Sequence, residues 1–95
     1  MIAPTDVIDR TPDLFDCTVG ADIVVMSVPA GMYYMLGGTA GYIWTALSRP
    51  RSFGDLCEEL TAHFDVDAER CARDVSTYIE QLASDSLVRV AAPSI

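Results

Sequence analysis

The chain has 95 residues, 51% of them apolar, which suffices for one small domain with a hydrophobic core and is too apolar for a disordered chain. Six Arg and no Lys oppose fourteen Asp and Glu, so the net charge is −8. Because the six Arg are scattered, the sequence lacks the clustered cations that nucleic acid or an anionic membrane needs, and we expect neither as a partner.

The chain begins with a segment that has no regular hydrophobic period. Pro4 and Pro12 interrupt it, and its polar and apolar residues follow one another without a pattern. We therefore predict a flexible N-terminal arm over residues 1–13. The domain itself is predicted over residues 14–90, followed by a frayed tail over residues 91–95.

Three strands are predicted next. Leu14–Val19 alternates apolar with polar residues, as a half-buried strand does. Ile23–Val28 is almost continuously apolar and β-branched, which is typical of a central strand. The turn residues Pro29-Ala30-Gly31 lead into the strand Met32–Leu36. The pattern predicts a three-stranded antiparallel meander.

The third predicted strand is apolar on both faces. Alternation places Met32, Tyr34 and Leu36 on one face and Tyr33 and Met35 on the other. An edge strand of this kind is usually protected by charge or proline, and this one has neither. We expect something to cover this edge.

Three helices are predicted after the sheet. The first carries Trp44 and ends before Pro50, the second is capped by Ser52, and the third is capped by Asp67. The third helix has one apolar stripe at helical spacing, made of Cys71, Val75, Tyr78, Ile79 and Leu82. The predicted core consists of Trp44, Leu56, Leu60, Phe64, Ile79 and Leu82. Leu87–Val90 is either a short final strand or an extended tail.

The resulting order, β-β-β-α-α-α, predicts an α+β fold that resembles a winged helix-turn-helix domain. Such domains often bind DNA, which makes a winged-helix DNA-binding regulator one alternative function. A helix that reads bases presents Arg, Lys, Asn or Gln. Here the last helix carries net negative charge, which disfavours this alternative.

Catalytic and metal-binding motifs are missing from the sequence. It has one histidine, His63, and no nucleophile elbow, zinc-binding motif or phosphate-binding glycine loop. Cys17, Cys57 and Cys71 are odd in number and widely spaced, so we expect three buried thiols in a reducing cytoplasm. No secretory signal is visible at the N-terminus. We predict a cytoplasmic protein that is not an enzyme and binds no metal or cofactor.

Several short motifs resemble the PqqD-like family, the recognition elements of pathways that make ribosomally synthesised and post-translationally modified peptides. The resemblance extends from Phe15 to Val90. The motifs are Met32–Leu36, Ile43-Trp44, Arg51-Ser52-Phe53 with Asp55-Leu56, Phe64-Asp65-Val66-Asp67, and Asp74-Val75. One departure concerns Gly37, where family members usually have Asn, and it calls the cap of the first helix into question.

The resemblance implies a non-catalytic module that binds the leader segment of a precursor peptide as an added strand. The site implied by position has two sides: Met32, Tyr33, Tyr34, Met35 and Leu36 form the strand edge, and Cys71, Asp74, Val75, Tyr78 and Leu82 form the helix wall. A free-standing member of this size resembles the small protein of lasso-peptide clusters, which presents the precursor to a leader peptidase and then to a downstream maturation enzyme. The alternative is a chaperone that delivers a precursor to a radical-SAM enzyme.

Overall fold

The computed structural model describes residues 2–92 of the chain. These residues form six strands and three helices. In chain order the elements are β1 (Val7–Arg10), β2 (Leu14–Val19), β3 (Asp22–Ser27), β4 (Met32–Leu36), α1 (Thr39–Ala46), β5 (Arg51–Ser52), α2 (Phe53–Phe64), α3 (Ala68–Ser84) and β6 (Val88–Ala91).

The predicted meander is confirmed as the sheet β2-β3-β4, in which both neighbouring pairs are antiparallel. Val25 at the centre of β3 lies opposite Asp16 on β2 and Tyr34 on β4. Gly31 adopts a φ of 65° in the turn before β4, a conformation that glycine takes without a steric penalty. β3 is therefore the central strand and β4 lies at an edge.

A second antiparallel sheet has the order β5-β1-β6, and it corrects the prediction of a flexible arm over residues 1–13. That prediction is wrong for Val7–Arg10, because Ile8 is fully buried and the whole segment pairs with Val88–Ala91. The segment is too short to show a period of its own, and its partners lie far away in the sequence. The final strand among the alternatives for Leu87–Val90 is confirmed. Of the predicted tail, Ala91 belongs to β6, and residues 93–95 lie outside the described part of the chain.

The helix caps follow the sequence closely. The Asp55 N–H donates to Ser52 Oγ at 3.1 Å, and the Arg70 N–H donates to Asp67 Oδ2 at 3.0 Å, which confirms both predicted caps. Gly38 stands at the N-cap of α1 and offers no side-chain cap. The helix that follows Gly37 in the sequence thus starts without the hydrogen bond that the other two helices have.

The core lies between the three helices, the smaller sheet, which contributes Ile8 and Val88, and the inner face of the meander, which contributes Val25 and Leu36. Five of the six predicted core residues are buried, and the stripe of α3 is confirmed, with Tyr78 half-buried at its edge. Phe64 was predicted to be buried but is 38% exposed, because it sits in the last turn of α2 beside the connection to α3. Of the three thiols that were predicted to be buried, Cys71 is buried and Cys57 is half-buried, whereas Cys17 is exposed because it lies on the outer face of β2. The α+β class is confirmed, but the likeness to a winged helix is loose, since two sheets are present.

Candidate functional site

The edge strand β4 is the first component of the site. One side of β4 pairs with β3, and within residues 2–92 no strand pairs with its other side. A free edge presents backbone N–H and C=O groups that a second extended chain can satisfy. Since β4 contains no charge and no proline, the structure leaves this template open.

The two faces of β4 differ sharply in exposure. Leu36 is buried and Tyr34 is half-buried on the inner face, where Met32 at the strand start is still exposed. Tyr33 and Met35 lie on the outer face and are 69% and 70% exposed. The alternation predicted for the strand is therefore confirmed, and its outer side chains are available to a ligand.

Helix α1 makes a close contact with the end of β4. A Cβ at Gly41 would lie 3.1 Å from the Leu36 carbonyl oxygen, so glycine allows α1 to pack tightly against the end of β4. The chain reaches Thr39 through Gly37 and Gly38, and Thr39 then stands at the start of α1. This contact fixes the first turn of α1 next to the strand edge.

Two adjoining cavities form the second component, a groove along α3 that we call the α3 groove. The larger cavity has a volume of about 560 Å³ and the smaller one about 230 Å³, and both are lined by Thr39, Asp74 and Val75. The larger cavity is completed by Leu60, Phe64, Val66, Asp67, Arg70 and Cys71. The smaller cavity is completed by Ala40, Ile43 and Tyr78. The groove therefore runs along α3 and is bordered by the end of α2 and the first turns of α1.

Charge at the groove is confined to its rim. Arg70 Nε lies 3.7 Å from Asp74 Oδ2, and both side chains are largely exposed, so this pair adds little stability.

Burial raises the pKa of the Cys57 thiol to about 11, and the neighbouring Cys71 contributes to the same shift. A thiol with this pKa stays protonated at neutral pH and is a poor nucleophile.

Tyr78 is the unusual polar residue of the groove. Its hydroxyl is buried, and among the described residues it finds no hydrogen-bond partner. Burial raises the pKa of Tyr78 to about 12. An unsatisfied buried hydroxyl costs free energy, so the site holds a polar group that packing has left unpaired.

The ten residues predicted for the site fall into three groups. Cys71, Asp74, Val75 and Tyr78 come together in the α3 groove. The strand residues Met32, Tyr33, Tyr34 and Met35 line neither cavity, and Thr39, which lines both, follows β4 in the chain. Leu36 and Leu82 also line neither cavity and are buried at 7% and 3% exposure, so their side chains belong to the core.

Several groove residues are not predicted from the sequence. Phe64 and Val66 flank Asp65, which has a φ of 51° and turns the chain from α2 into α3. Val66 could have been found from the sequence, because it is an apolar residue between two aspartates in a short connection. Thr39 and Arg70 carried no such signal, because a start of a helix and an exposed helical arginine look ordinary in a sequence.

Metal binding and membrane insertion have little support in the described residues. No group of three or more His, Cys, Asp or Glu side chains within residues 2–92 is arranged to hold a metal ion. The helices that the structure describes are also too short or too polar to cross a lipid bilayer.

The sequence and the fold of the chain were compared with those of known proteins. No curated protein matches the chain in sequence. A solved structure of TbiB1 in complex with the TbiA(beta) leader peptide has a TM-score of 0.80 and 18% identity, covering 85% of this chain and 94% of that chain. A lasso peptide synthetase B1 complexed with the leader peptide has a TM-score of 0.76 and 21% identity, covering 86% of this chain and 96% of that chain. At these identities the likeness establishes the shared fold.

The sequence itself carries the family signal. Residues 22–88, which run from the start of β3 to the start of β6, match the family described as coenzyme PQQ synthesis protein D. This stretch includes β4 and the whole α3 groove. The chain belongs to the PqqD family.

Proposed function

We propose that this protein is a non-catalytic module that captures the leader segment of a precursor peptide and presents it to a maturation enzyme. The leader binds as an extended strand along the free edge of β4 and places apolar side chains in the α3 groove. Binding by strand addition derives affinity from backbone hydrogen bonds and selectivity from side-chain pockets.

The open, uncharged edge of β4 is the observation that carries this proposal. Tyr33 and Met35 are 69% and 70% exposed, and β4 carries no charge that would keep another strand away. A protein with such an edge is at risk of aggregation unless a partner strand occupies it. An extended peptide fits this edge better than a folded ligand does.

The α3 groove supports the same ligand. Its smaller cavity is lined mainly by apolar groups of α1 and α3, and it has the size of one or two side chains. The larger cavity adds Phe64 and Val66, both partly exposed. A peptide that leaves the end of β4 near Thr39 can therefore anchor apolar side chains a short distance away.

The similar structures support a proposal for the pathway, and the resemblance to the family supports one for the partner enzymes. Both are complexes with leader peptides, and one is a lasso peptide synthetase B1. We propose lasso peptide biosynthesis as the pathway, with a separate leader peptidase and then a downstream maturation enzyme as partners. Because the precursor would be a product of the ribosome, we propose the cytoplasm as the location.

Delivery of a precursor to a radical-SAM enzyme remains the alternative pathway. The matching family is described by its part in coenzyme PQQ synthesis, which favours this alternative. Both pathways use the same binding step, so they differ in the enzyme that receives the peptide. The enzyme genes beside this gene decide between them: a leader peptidase supports the lasso pathway, and a radical-SAM enzyme contradicts it.

A binding titration tests the function directly. The probe is a fluorescein-labelled synthetic leader from the precursor encoded beside this gene, and the readout is fluorescence anisotropy. We expect a dissociation constant in the micromolar range or below, which corresponds to about −8 kcal/mol. Tyr33→Asp or Met35→Asp should weaken binding by about tenfold or more, because each places a charge beside the added strand.

The matched control is Ala91→Asp. Ala91 is also an exposed apolar strand residue, and it lies on β6 in the other sheet, on the side opposite to the buried Ile8. This variant should bind the leader as tightly as the unmodified protein does. Equal weakening in all three variants would mean that added negative charge alone repels the peptide, and the proposed position of the site would be wrong.

A further inference from the structure

Gly37 directly follows the edge strand β4, and the carboxylate of Asp22 takes the space beside it. A Cβ built at Gly37 would lie 2.5 Å from Asp22 Oδ1 and 3.5 Å from Cγ of the same side chain. A real side chain does not approach this closely, so any residue other than glycine would have to displace the carboxylate. Gly37 is not among the residues with a positive φ. The need for glycine at this position is therefore explained by space and not by backbone conformation.

The strand register explains why Asp22 reaches this place. Asp22 lies opposite Val19 on β2, and it stands one residue before the partner of Leu36, the last residue of β4. Alternation along the strands places Asp22 on the same face as Met35, the face turned away from the helices. On this face Val19 fills the position on the β2 side, whereas Gly37 leaves the position on the β4 side empty. The carboxylate occupies that empty position.

The Asp22 carboxylate has no partner in the part of the chain that the structure describes. Asp22 is half-buried, and within residues 2–92 it makes no hydrogen bond or ion pair. Four of the six arginines are engaged by other acids: Arg10 by Asp16, Arg51 by Glu59, Arg70 by Asp74 and Arg89 by Asp9. A carboxylate that has lost part of its hydration without gaining a partner favours a ligand that brings a cation or a hydrogen-bond donor.

A strand added to β4 would bring its side chains next to this carboxylate. In an antiparallel pair, residues directly opposite each other have Cβ atoms about 4.5–5.5 Å apart. Asp22 Oδ1 stands close to the place that a Cβ at position 37 would take. A leader that pairs with β4 and continues past its end therefore meets the carboxylate at nearly the distance of a direct cross-strand neighbour. A lysine or arginine of the leader at this point can reach Asp22.

We infer that Asp22, held in the space beside Gly37, selects leaders that carry a lysine or arginine where the added strand passes the end of β4. This inference rests on the proposed function, because it names a specificity-determining residue of the same site. Backbone hydrogen bonds of strand addition do not distinguish one peptide sequence from another. A cation paired with Asp22 adds that distinction. It also fixes the register of the leader, since a shift by one residue would turn the cation to the opposite face.

A double-mutant cycle between protein and leader tests the inference. The probes are the fluorescein-labelled leader from the precursor encoded beside this gene and variants of it in which each lysine and arginine is replaced singly by glutamine. Each peptide is titrated by anisotropy with the unmodified protein and with Asp22→Asn, which keeps the size of the side chain and removes its charge. The matched control is Asp13→Asn, because Asp13 is exposed and precedes β2 at the other end of the meander.

We expect Asp22→Asn to weaken binding of the unmodified leader about threefold to fivefold. One of the peptide replacements should weaken binding to the unmodified protein by the same factor and have no effect with Asp22→Asn, because the two changes remove the same interaction. Asp13→Asn should leave the affinity unchanged. The inference is overturned if every peptide replacement has the same effect in both proteins, if Asp13→Asn weakens binding equally, or if the leader contains neither lysine nor arginine.

Gly37→Ala tests the role of the space that glycine leaves. The added Cβ displaces the carboxylate and keeps its charge, so the coupled peptide replacement should lose its effect with this variant as well. An undiminished effect of that replacement in Gly37→Ala would overturn the inference. If Asp22→Asn fails to fold by circular dichroism, Asp22→Ser replaces it with the same expected result.

Failure of the inference and failure of the proposed function give different results. A leader that binds the unmodified protein but shows no coupling to Asp22 overturns the inference alone, and the proposed function stands. If the unmodified protein binds no leader, the proposed function fails and the inference fails with it.

Discussion

Trp44 Nε1 donates a hydrogen bond to Asp16 Oδ2 at 2.7 Å, and this contact joins α1 to the first strand of the meander. Arg10 on β1 completes the arrangement, because its guanidinium lies 4.2 Å from the centre of the Trp44 ring and also pairs with Asp16. A cation above an indole ring is attracted by the ring electrons. Through these three residues the smaller sheet, the meander and α1 hold one another in place, and the edge of β4 depends on that frame.

Loss of the Asp16 carboxylate should therefore destabilise the fold. Asp16→Ala leaves Trp44 Nε1 buried without an acceptor, and we expect a fall of about 1–3 kcal/mol in the free energy of unfolding. Urea denaturation measures the change. The control is Glu58→Ala on the exposed side of α2, which should change stability by less than about 0.5 kcal/mol. Equal effects of the two variants would contradict the structural role of the contact.

Tyr78 gives a second stability prediction. Tyr78→Phe removes a buried hydroxyl that has no partner among the described residues, so we expect the free domain to gain about 1 kcal/mol at neutral pH. Chemical denaturation of the two proteins provides the comparison. A loss of stability would show that the hydroxyl is satisfied in solution.

The same tyrosine predicts a dependence on pH. Burial raises the pKa of Tyr78 from 10.0 to about 12, so the neutral form is favoured in the folded protein. This contribution to stability is fully present below pH 10 and is lost as the pH rises towards 12. Unfolding free energies across this range should fall more steeply for the unmodified protein than for Tyr78→Phe. Parallel curves for the two proteins would contradict the burial of this side chain.

Proline substitution distinguishes the two sides of β4. In an antiparallel strand, successive backbone N–H groups point alternately to the paired neighbour and to the free edge. One of Tyr33→Pro and Tyr34→Pro should therefore break a hydrogen bond to β3 and cost about 1–3 kcal/mol of stability. The other should stay folded and lose leader affinity beyond the loss caused by Ala at the same position. Thermal unfolding and the anisotropy titration give both readouts.

The outcome of the proline pair bears on strand addition itself. If the folded proline variant binds the leader as tightly as the alanine variant does, the free N–H groups of β4 take no part in binding. The leader would then be held by side-chain contacts alone.

Local signals explain why most of the fold was accessible from the sequence. The period of two in Leu14–Val19 and Met32–Leu36 and the turn at Gly31 are contained within a few residues, and both strands were predicted with the bounds that the structure has. Asp67 marked the start of α3 in the same local way. The second sheet gave no such signal, because Val7–Arg10 acquires its structure from Val88–Ala91 at the other end of the chain.

The candidate site was predictable in part for the same reason. The helical spacing of Cys71, Val75 and Tyr78 placed them on one face, and the structure finds all three in the α3 groove. The opposite wall depends on how α1 packs against β4 through Gly41, which is a tertiary contact. Thr39 therefore went unnoticed. Leu82 shows the converse, since the same spacing that suggested a groove residue also fits the core residue that it is.

Amide hydrogen exchange with and without the cognate leader peptide tests the central claim most directly, because it reports on the backbone that an added strand would cover. With the leader bound at saturation, we expect slower exchange in Met32–Leu36 and in the part of α3 from Cys71 to Leu82. Residues of β1 and β6 in the other sheet should exchange as they do in the free protein. Protection confined to the smaller sheet or to α2, with Met32–Leu36 unchanged, would contradict binding of the leader at the edge of β4.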